Sequence, residues 1–581
     1  MLSVIIIWIY IIATVFLLGY GILTGLTLLC LYRIKRWDSY LMCGLAGATV
    51  YAQFFSIFAP VGLTANVILT ALCLIIAVCF RKKLCADWQS VTEKLRNEKK
   101  NAGKKLIAKI VLALFLFLFF AYGTSRGIIH YDTGLYHAQS IRWIEEFGVV
   151  KGLGNLHCRL AYNSASFALS ALYSMAFMGG QSYHCVAGLL ALLVAGVCLE
   201  LLSLVKRKYL KPSDFARVMA IYYLLIIFDE MVSPASDYFM VLTAFYLVIR
   251  FMDLLEEKEE TVFPYAMLCV LGVFLLTLKL SAALIILLTI KPAIVLIREK
   301  RWKEIALYLG LGILTAAPFL IRNVIISGWL VYPFTGIDLF NVDWKIPQGI
   351  AAYDAKEIQV WGRGYTDVLL YDMPIKDWFP AWFRSIGGLD KAFLILAMAA
   401  VPVYAGRLLI RLLYKNNKSY AISTEHLQLE GVMIICFLFW LLSSPLIRYG
   451  CVYVYLTSAI IWGDVVTELI AARAEKESWK EKRYTSYMIK TCKLFIALFL
   501  IYKAAAFGHE IISLYNNADF WIYQKDYEEY ATENYEISGV TFYCPVTGDQ
   551  TGYQSFPSAP TKAQIALRGN DLQDGFYSLQ Q

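Results

Sequence analysis

Charge is scarce in this chain. Only 17% of its 581 residues are Asp, Glu, Lys or Arg, while 59% are apolar, a balance that leaves too little polar surface to cover a soluble globular fold. The 13 cysteines show no CxxC pair and no Cys/His ligand spacing, which leaves neither a zinc site nor a disulfide framework indicated. Cys158 and Cys544 alone fall in clearly external, polar context, and whether they pair is open. A Walker loop, a GxGxxG turn and an HExxH helix are all missing, so nucleotide, dinucleotide and zinc-protease chemistry find no support. Neither a repeat of about 20–50 residues nor the ten-residue alternation of a membrane β-barrel is present.

What the chain has is apolar runs long enough to cross a bilayer, recurring from end to end, which predicts a polytopic, all-α membrane protein. Basic residues outnumber acidic ones, 53 to 44, but they gather in short loops at alternate run ends, as positive-inside topology requires, rather than in a nucleic-acid patch. The clusters are Arg33/Lys35/Arg36, a long basic loop from Arg81 to Lys109, Lys206/Arg207/Lys208, Arg298/Lys300/Arg301/Lys303, Arg407 to Lys418 and Arg473 to Lys490. With all of them in the cytoplasm, about fourteen spans follow. They lie near 4–31, 40–58, 63–80, 106–123, 183–205, 215–232, 238–253, 263–278, 281–298, 303–322, 391–413, 428–444, 450–470 and 489–507, and both termini fall outside the cytoplasm. The first run is too long for a signal-peptide core and reads as a retained span.

Ser164 to Met178 decides the topology. It is apolar but short, carries Ser166, Ser170 and Ser174 along one helical face, and as a span would put Lys206–Lys208 outside. It is therefore read as interfacial or re-entrant. The organisation expected is an N-terminal group of spans with the basic loop (1–123), a large external loop (124–182), a transmembrane core (183–324), a second external loop (325–390), C-terminal spans (391–508) and an external tail (509–581). Within the first loop, Leu135, Ala138, Ile141 and Ile144 share one face while His137, Arg142 and Glu145 take the other, the pattern of a helix in the interface plane.

Polar groups cluster on the external side at the ends of apolar runs: Asp132, the turn Ser233-Pro234-Ala235-Ser236-Asp237, Lys279 with Ser281, Arg322-Asn323, and Arg448. An ionisable residue at that depth is a functional hypothesis by default. An acid that can accept a hydroxyl proton, beside cations matched to phosphate oxygens, suggests group transfer from a lipid phosphate at the membrane surface. Each member has a plainer reading. Asp132 and Asp237 could cap the helices that follow, and Arg322, Lys279 and Arg448 could be snorkelling anchors. His130, His137 and His157 do not have the spacing of a helical metal motif, so no metal ligand is assigned.

A large first external loop that opens with Asp132 and Tyr136 in an Asp-x-x-x-Tyr element resembles the GT-C superfamily, membrane glycosyltransferases that use polyprenyl-phosphate sugars. Thr133 stands where a second acid is common there. Ser233 to Asp237, Lys279-Leu280-Ser281 and Arg322-Asn323 through Ser327-Gly328 to Tyr332-Pro333 are similar to recurring GT-C elements. The chain also resembles a poorly characterised bacterial family of multi-pass GT-C-like proteins, through Tyr131 to His137, Gly152 to His157, Asp343-Trp344-Lys345-Ile346-Pro347, Gly548-Asp549-Gln550 and Leu567-Arg568-Gly569.

The resemblance implies a bacterial inner-membrane enzyme whose site faces the periplasm or exterior. It would move a sugar from a polyprenyl-phosphate donor to a glycan, glycolipid or protein acceptor, with inversion. Asp132 would be the general base. His130, Tyr136, His137, Arg159, Asn163, Asp237, Lys279, Arg322, Asn323 and Arg448 would bind substrate, membrane lipids would surround the site, and no nucleic acid would take part. No cofactor is assigned, and a divalent cation stays open. The alternatives are a polymerase or ligase of lipid-linked oligosaccharides, a transporter or flippase, and a glycan-binding scaffold. Inverted repeats and broken helices near the midplane would favour a transporter, whereas here the polar residues gather at one face.

Overall fold

The computed structural model describes residues 1–207, 209–413, 423–476, 490, 494, 498, 501, 505, 508–513 and 519–580. Lys208, residues 414–418 of the cluster Arg407–Lys418, most of the cluster Arg473–Lys490, and most of the span expected at 489–507 lie outside the described residues. The chain is predominantly helical. Nine helices among the described residues are long and apolar enough to cross a membrane: Leu2–Cys30, Ala102–Ser125, Val186–Leu204, Ser236–Glu256, Leu280–Arg298, Trp302–Ser327, Gly388–Leu413, Thr424–Ser443 and Ile447–Ile470. A tenth is reached if Leu63–Cys79 and Arg81–Lys100, bent by 76°, count as one span. Asp38–Ser56, Pro212–Ile226 and Val262–Leu278 cover other expected spans with 19, 15 and 17 residues; the last two are short of the roughly 20 residues a bilayer takes.

Ser236–Glu256 is the central helix, almost wholly buried, whereas Trp302–Ser327 leaves most of its surface outward. Leu2–Cys30 and Asp38–Ser56 pack backbone to backbone. A Cβ on Gly44 would sit 1.7 Å from the Val15 carbonyl oxygen, and one on Gly19 1.8 Å from that of Tyr40, so only glycine permits this approach.

The stretch expected as a basic loop is helical instead. Arg81–Ser125 is one helix broken at Ala102 (φ −154°). Its first half is rich in Lys, Leu, Glu, Arg and Ala, all good helix formers, and the break comes beside Gly103.

Charged residues near 36, 200–217 and 250–259 meet at one end of the bundle. Arg36 pairs with Glu200 at 3.4 Å, Arg207 with Asp214 at 2.8 Å, Arg217 with Glu200 at 3.3 Å, and Arg250 with Asp38 and Asp253 at 2.8 Å each. Arg407 joins Glu430 at 2.9 Å and Glu468 at 2.6 Å, with His426 on Asp464 at 3.0 Å. Buried charges survive in such surroundings when each has a partner.

Residues 124–182 fold as short pieces. Thr133–His137 is a π-helical turn that runs into the α-helix Ala138–Glu146. Ala165–Leu172 has eight residues, about 12 Å of helix. The helix Ala138–Glu146 does not lie free in an interface plane, because both of its faces are covered. Leu135, Ala138, Ile141 and Ile144 are in the core. On the polar face, Arg142 donates to the Tyr553 and Gln554 carbonyls at 2.8 and 2.9 Å, and Tyr553 donates to Glu145 at 2.6 Å.

That cover is the tail, which adds strand to the expected all-α fold. Thr532–Ile537 pairs antiparallel with Val540–Pro545, and Ile565–Leu567 with Phe576–Ser578. Cys158 and Cys544 are both free thiols. Between the spans, in residues 325–390, Gln348–Gly362 and Ile375–Ser385 are helical.

Candidate functional site

Four charged residues that meet at one end of the bundle each stand where a regular element starts or breaks. Asp132 precedes the π turn. Asp237 is in the first turn of Ser236–Glu256. Lys279 is extended (φ −157°, ψ 130°) between the helix Val262–Leu278 and the 3-10 segment Leu280–Thr289. Arg448 lies two residues before Gly450, where the helix Ile447–Lys476 loses helical geometry. Broken helices inside a membrane bundle are tolerated where they line a cavity or are buried in protein.

The side chains converge. Arg448 Nη2 is 3.0 Å from Asp132 Oδ2 and its Nε is 3.9 Å from Asp237 Oδ2. Lys279 donates to Asp237 Oδ1, and its ammonium lies 4.2 Å from the centroid of the Tyr449 ring. Neither acid is a helix cap: no side-chain capping bond is made at the start of either helix, and both carboxylates go to cations instead.

His130 completes the group. Its backbone N–H donates to Ser233 Oγ at 2.7 Å, so the Ser233–Asp237 turn holds it in place. Arg448 Nη1 lies 2.7 Å from His130 Nε2 and the Asp132 N–H 3.1 Å from Nδ1. A neutral imidazole accepts at only one nitrogen. Both neighbours can only donate, and the Arg448 contact is the shorter and the charged one, so the unprotonated nitrogen is assigned to Nε2. Burial, and then the nearby Arg448, hold His130 below the usual histidine range, which keeps the ring neutral beside the guanidinium.

Tyr136 and His137 form the layer behind. Their rings are 4.4 Å apart, and Tyr136 meets Tyr162 edge to face at 5.6 Å. His137 is buried, 3.2 Å from Thr133 Oγ1, and burial keeps it well below its ordinary range. Tyr162 and Tyr332 donate to the two oxygens of Asp354 at 2.9 and 2.8 Å. His157 is likewise pushed down to about 3 by burial. Among the described residues no three His, Cys, Asp or Glu side chains stand close enough to hold a metal ion.

Arg159 differs from the other cations. Its guanidinium lies 4.5 Å from the Trp361 ring centroid, and it makes no ion pair among the described residues. The charge of Asp132 acts on it, and it acts in turn on Asp354 and Glu357.

Arg322, Asn163 and Asn323 belong to a separate buried group. Arg322 Nε donates to Asn163 Oδ1 at 2.9 Å and its Nη1 to Ser56 Oγ. Asn163, in the left-handed region at φ 48°, donates to Asn323 Oδ1 at 2.8 Å. This group ties residues 124–182 to Asp38–Ser56 and Trp302–Ser327, and shares no described hydrogen bond or ion pair with Asp132, Asp237, Lys279 or Arg448.

Contacts that sequence reasoning did not assign come from the tail. Tyr131 donates to Asp549, Gln550 Nε2 donates to the Tyr131 carbonyl at 2.8 Å, and the Thr551 and Gly552 N–H groups both reach the Gly134 carbonyl at 2.9 Å. Gly548-Asp549-Gln550 was visible as a motif, but nothing local to it points to Asp132. Trp361 carries no local sign in the sequence that it would stack with Arg159.

No curated protein and no solved structure matches this chain. The family described as a domain of unknown function, DUF8201, matches residues 1–455, a stretch that includes Asp132, Asp237, Lys279 and Arg448, and the chain belongs to that family.

Proposed function

We propose that this membrane protein is a glycosyltransferase that moves a sugar from a polyprenyl-phosphate donor to a glycan, glycolipid or protein acceptor outside the cytoplasm of a bacterial cell. The observation that carries the reading is the meeting of Asp132, His130, Asp237, Lys279 and Arg448, with Arg159 nearby and paired with no carboxylate among the described residues. The resemblance to GT-C enzymes supports the same chemistry.

In this reading the donor phosphodiester competes with Asp132 for Arg448. Arginine offers a planar fork suited to two phosphate oxygens, and as it turns to the phosphate it releases the Asp132 carboxylate. That carboxylate accepts the proton of the acceptor hydroxyl while the oxygen attacks the anomeric carbon, and the C–O bond to phosphate breaks in the same step with inversion. The electron pair leaves with the lipid phosphate, whose charge Arg448 and Arg159 stabilise. Lys279 stays on Asp237 and keeps that second carboxylate from competing for Arg448. Neutral His130 accepts from Arg448 without adding repulsion. Arg322 is given no place in the phosphate clamp; it anchors the loop through Asn163.

The test is the lipid fraction of bacterial cells that lack the protein. A polyprenyl-phosphate sugar should accumulate, and wild-type protein should clear it while Asp132→Asn should not. An unchanged set of lipid-linked sugars, or clearance by both forms, would overturn the reading.

A further inference from the structure

The turn that carries Asp132 is held from outside by the tail. Gly134 offers one carbonyl, and both the Thr551 and Gly552 N–H groups bond to it at 2.9 Å. On the other side of Asp132 the Tyr131 carbonyl accepts from Gln550 at 2.8 Å, and its hydroxyl donates to Asp549. Backbone groups on either flank of the acid are thus engaged by a run of tail residues, Asp549–Gly552. The turn that follows Asp132 is π-helical, a geometry that seldom persists without support and recurs at functional positions. Gly552 makes the approach possible: its φ is +71°, and a Cβ there would lie 2.6 Å from the Glu528 backbone oxygen.

The tail is itself anchored on the second external loop. Arg568 holds Asp343 with two nitrogens, at 2.7 Å from Nη2 and 3.1 Å from Nε. The Phe576 N–H returns to the Lys151 carbonyl at 2.9 Å. A movement of either loop would therefore reach the other through the tail.

We propose that Asp549–Gly552 is a positioning element: the tail sets the Asp132 turn on Arg448 and couples it to the second external loop. Its catalytic consequence rests on the reading of Asp132 as the base; the physical coupling does not. The experiment uses the full chain in lipid nanodiscs and follows amide exchange at 130–138, together with sugar transfer from a polyprenyl-phosphate donor. Gly552→Ala should displace the strap, and Gln550→Ala, at a half-buried position, removes one side-chain bond and covers the case in which the first variant does not accumulate. Loss of one such bond should speed exchange in the turn by about two- to tenfold. Transfer should slow in kcat with donor KM held, because the donor's cations are untouched. Asn534→Ala, on the exposed hairpin face, should change neither. Release of the 551–552 amides with exchange at 130–138 unchanged would overturn the coupling, and a loosened turn with wild-type kcat would overturn the positioning role. If Asp132→Asn kept its activity while the coupling held, the assignment of the base would fall and the coupling would stand.

Discussion

Asp132→Asn separates a general base from an ion-pair partner. The amide keeps the shape of the carboxylate and an oxygen that can accept from Arg448 Nη2, now 3.0 Å from Oδ2. What it loses is the capacity to take a proton. A general base contributes about 10²- to 10⁴-fold, so the chemical step should slow by that factor, or about 2.7–5.5 kcal/mol at 1.36 kcal/mol per tenfold. The cost to folding is far smaller. The Asp132 and Arg448 side chains are 16% and 34% exposed, and a partly hydrated pair contributes on the order of 1 kcal/mol or less; Arg448 also keeps Asp237 and His130 as neighbours. The assay is single-turnover transfer from a labelled polyprenyl-phosphate sugar by purified protein in nanodiscs, with melting temperature measured on the same samples. A variant that keeps more than a tenth of the wild-type rate would refute Asp132 as base. A variant that loses rate only in proportion to folded protein would refute the separation of catalysis from folding.

Arg448→Lys keeps the charge but cannot reach His130 Nε2, Asp132 and Asp237 from one planar group, and should slow transfer at least about tenfold; near wild-type rates would make Arg448 an anchor. Gly44→Ala puts a methyl 1.7 Å from the Val15 carbonyl oxygen, and the overpacking should cost about 1–3 kcal/mol, read as a lower melting temperature. An unchanged melting temperature would show that the two helices do not pack this closely. Burial raises the Glu145 carboxyl above its ordinary 4.5, so the folded junction binds the proton more tightly than the open one. Its contribution is fully present below 4.5 and is lost as pH rises through the folded value. Proteolytic opening of the tail should therefore increase as pH rises across that window, and Glu145→Gln should flatten the dependence. A Glu145→Gln protein with the wild-type pH profile would place the titrating group elsewhere.

Much of the transmembrane architecture is legible because a span states itself locally: about twenty apolar residues suffice, and Leu2–Cys30 or Gly388–Leu413 can be read without their neighbours. The site is legible only as a set of candidates. Asp132, Asp237, Lys279 and Arg448 stand out as charges at the ends of apolar runs, yet the pairing that gives them chemistry joins positions as distant as His130 and Arg448, 318 apart, and no periodicity records it. Arg322 shows the limit from the other side. By sequence it is the same kind of residue as Arg448, a cation near the end of a span, and only its partners distinguish them. Ser56 and Asn163 hold Arg322 in the interior, whereas Asp132 and His130 hold Arg448, whose side chain is about a third exposed. The tail is the least legible part, because its polar, Tyr-rich composition describes a surface and says nothing of what that surface covers. Three of its bonds to Tyr131 and Gly134 run through backbone carbonyls, which every residue has, so side-chain identity on the loop could not have announced them, and the bond from the Tyr131 hydroxyl to Asp549 names no partner locally. A site built this way depends on its cover for geometry and on its charged side chains for chemistry, and substitutions in the two should differ in kind: tail variants should alter how the Asp132 turn is held, and charge variants should alter what it can do once held.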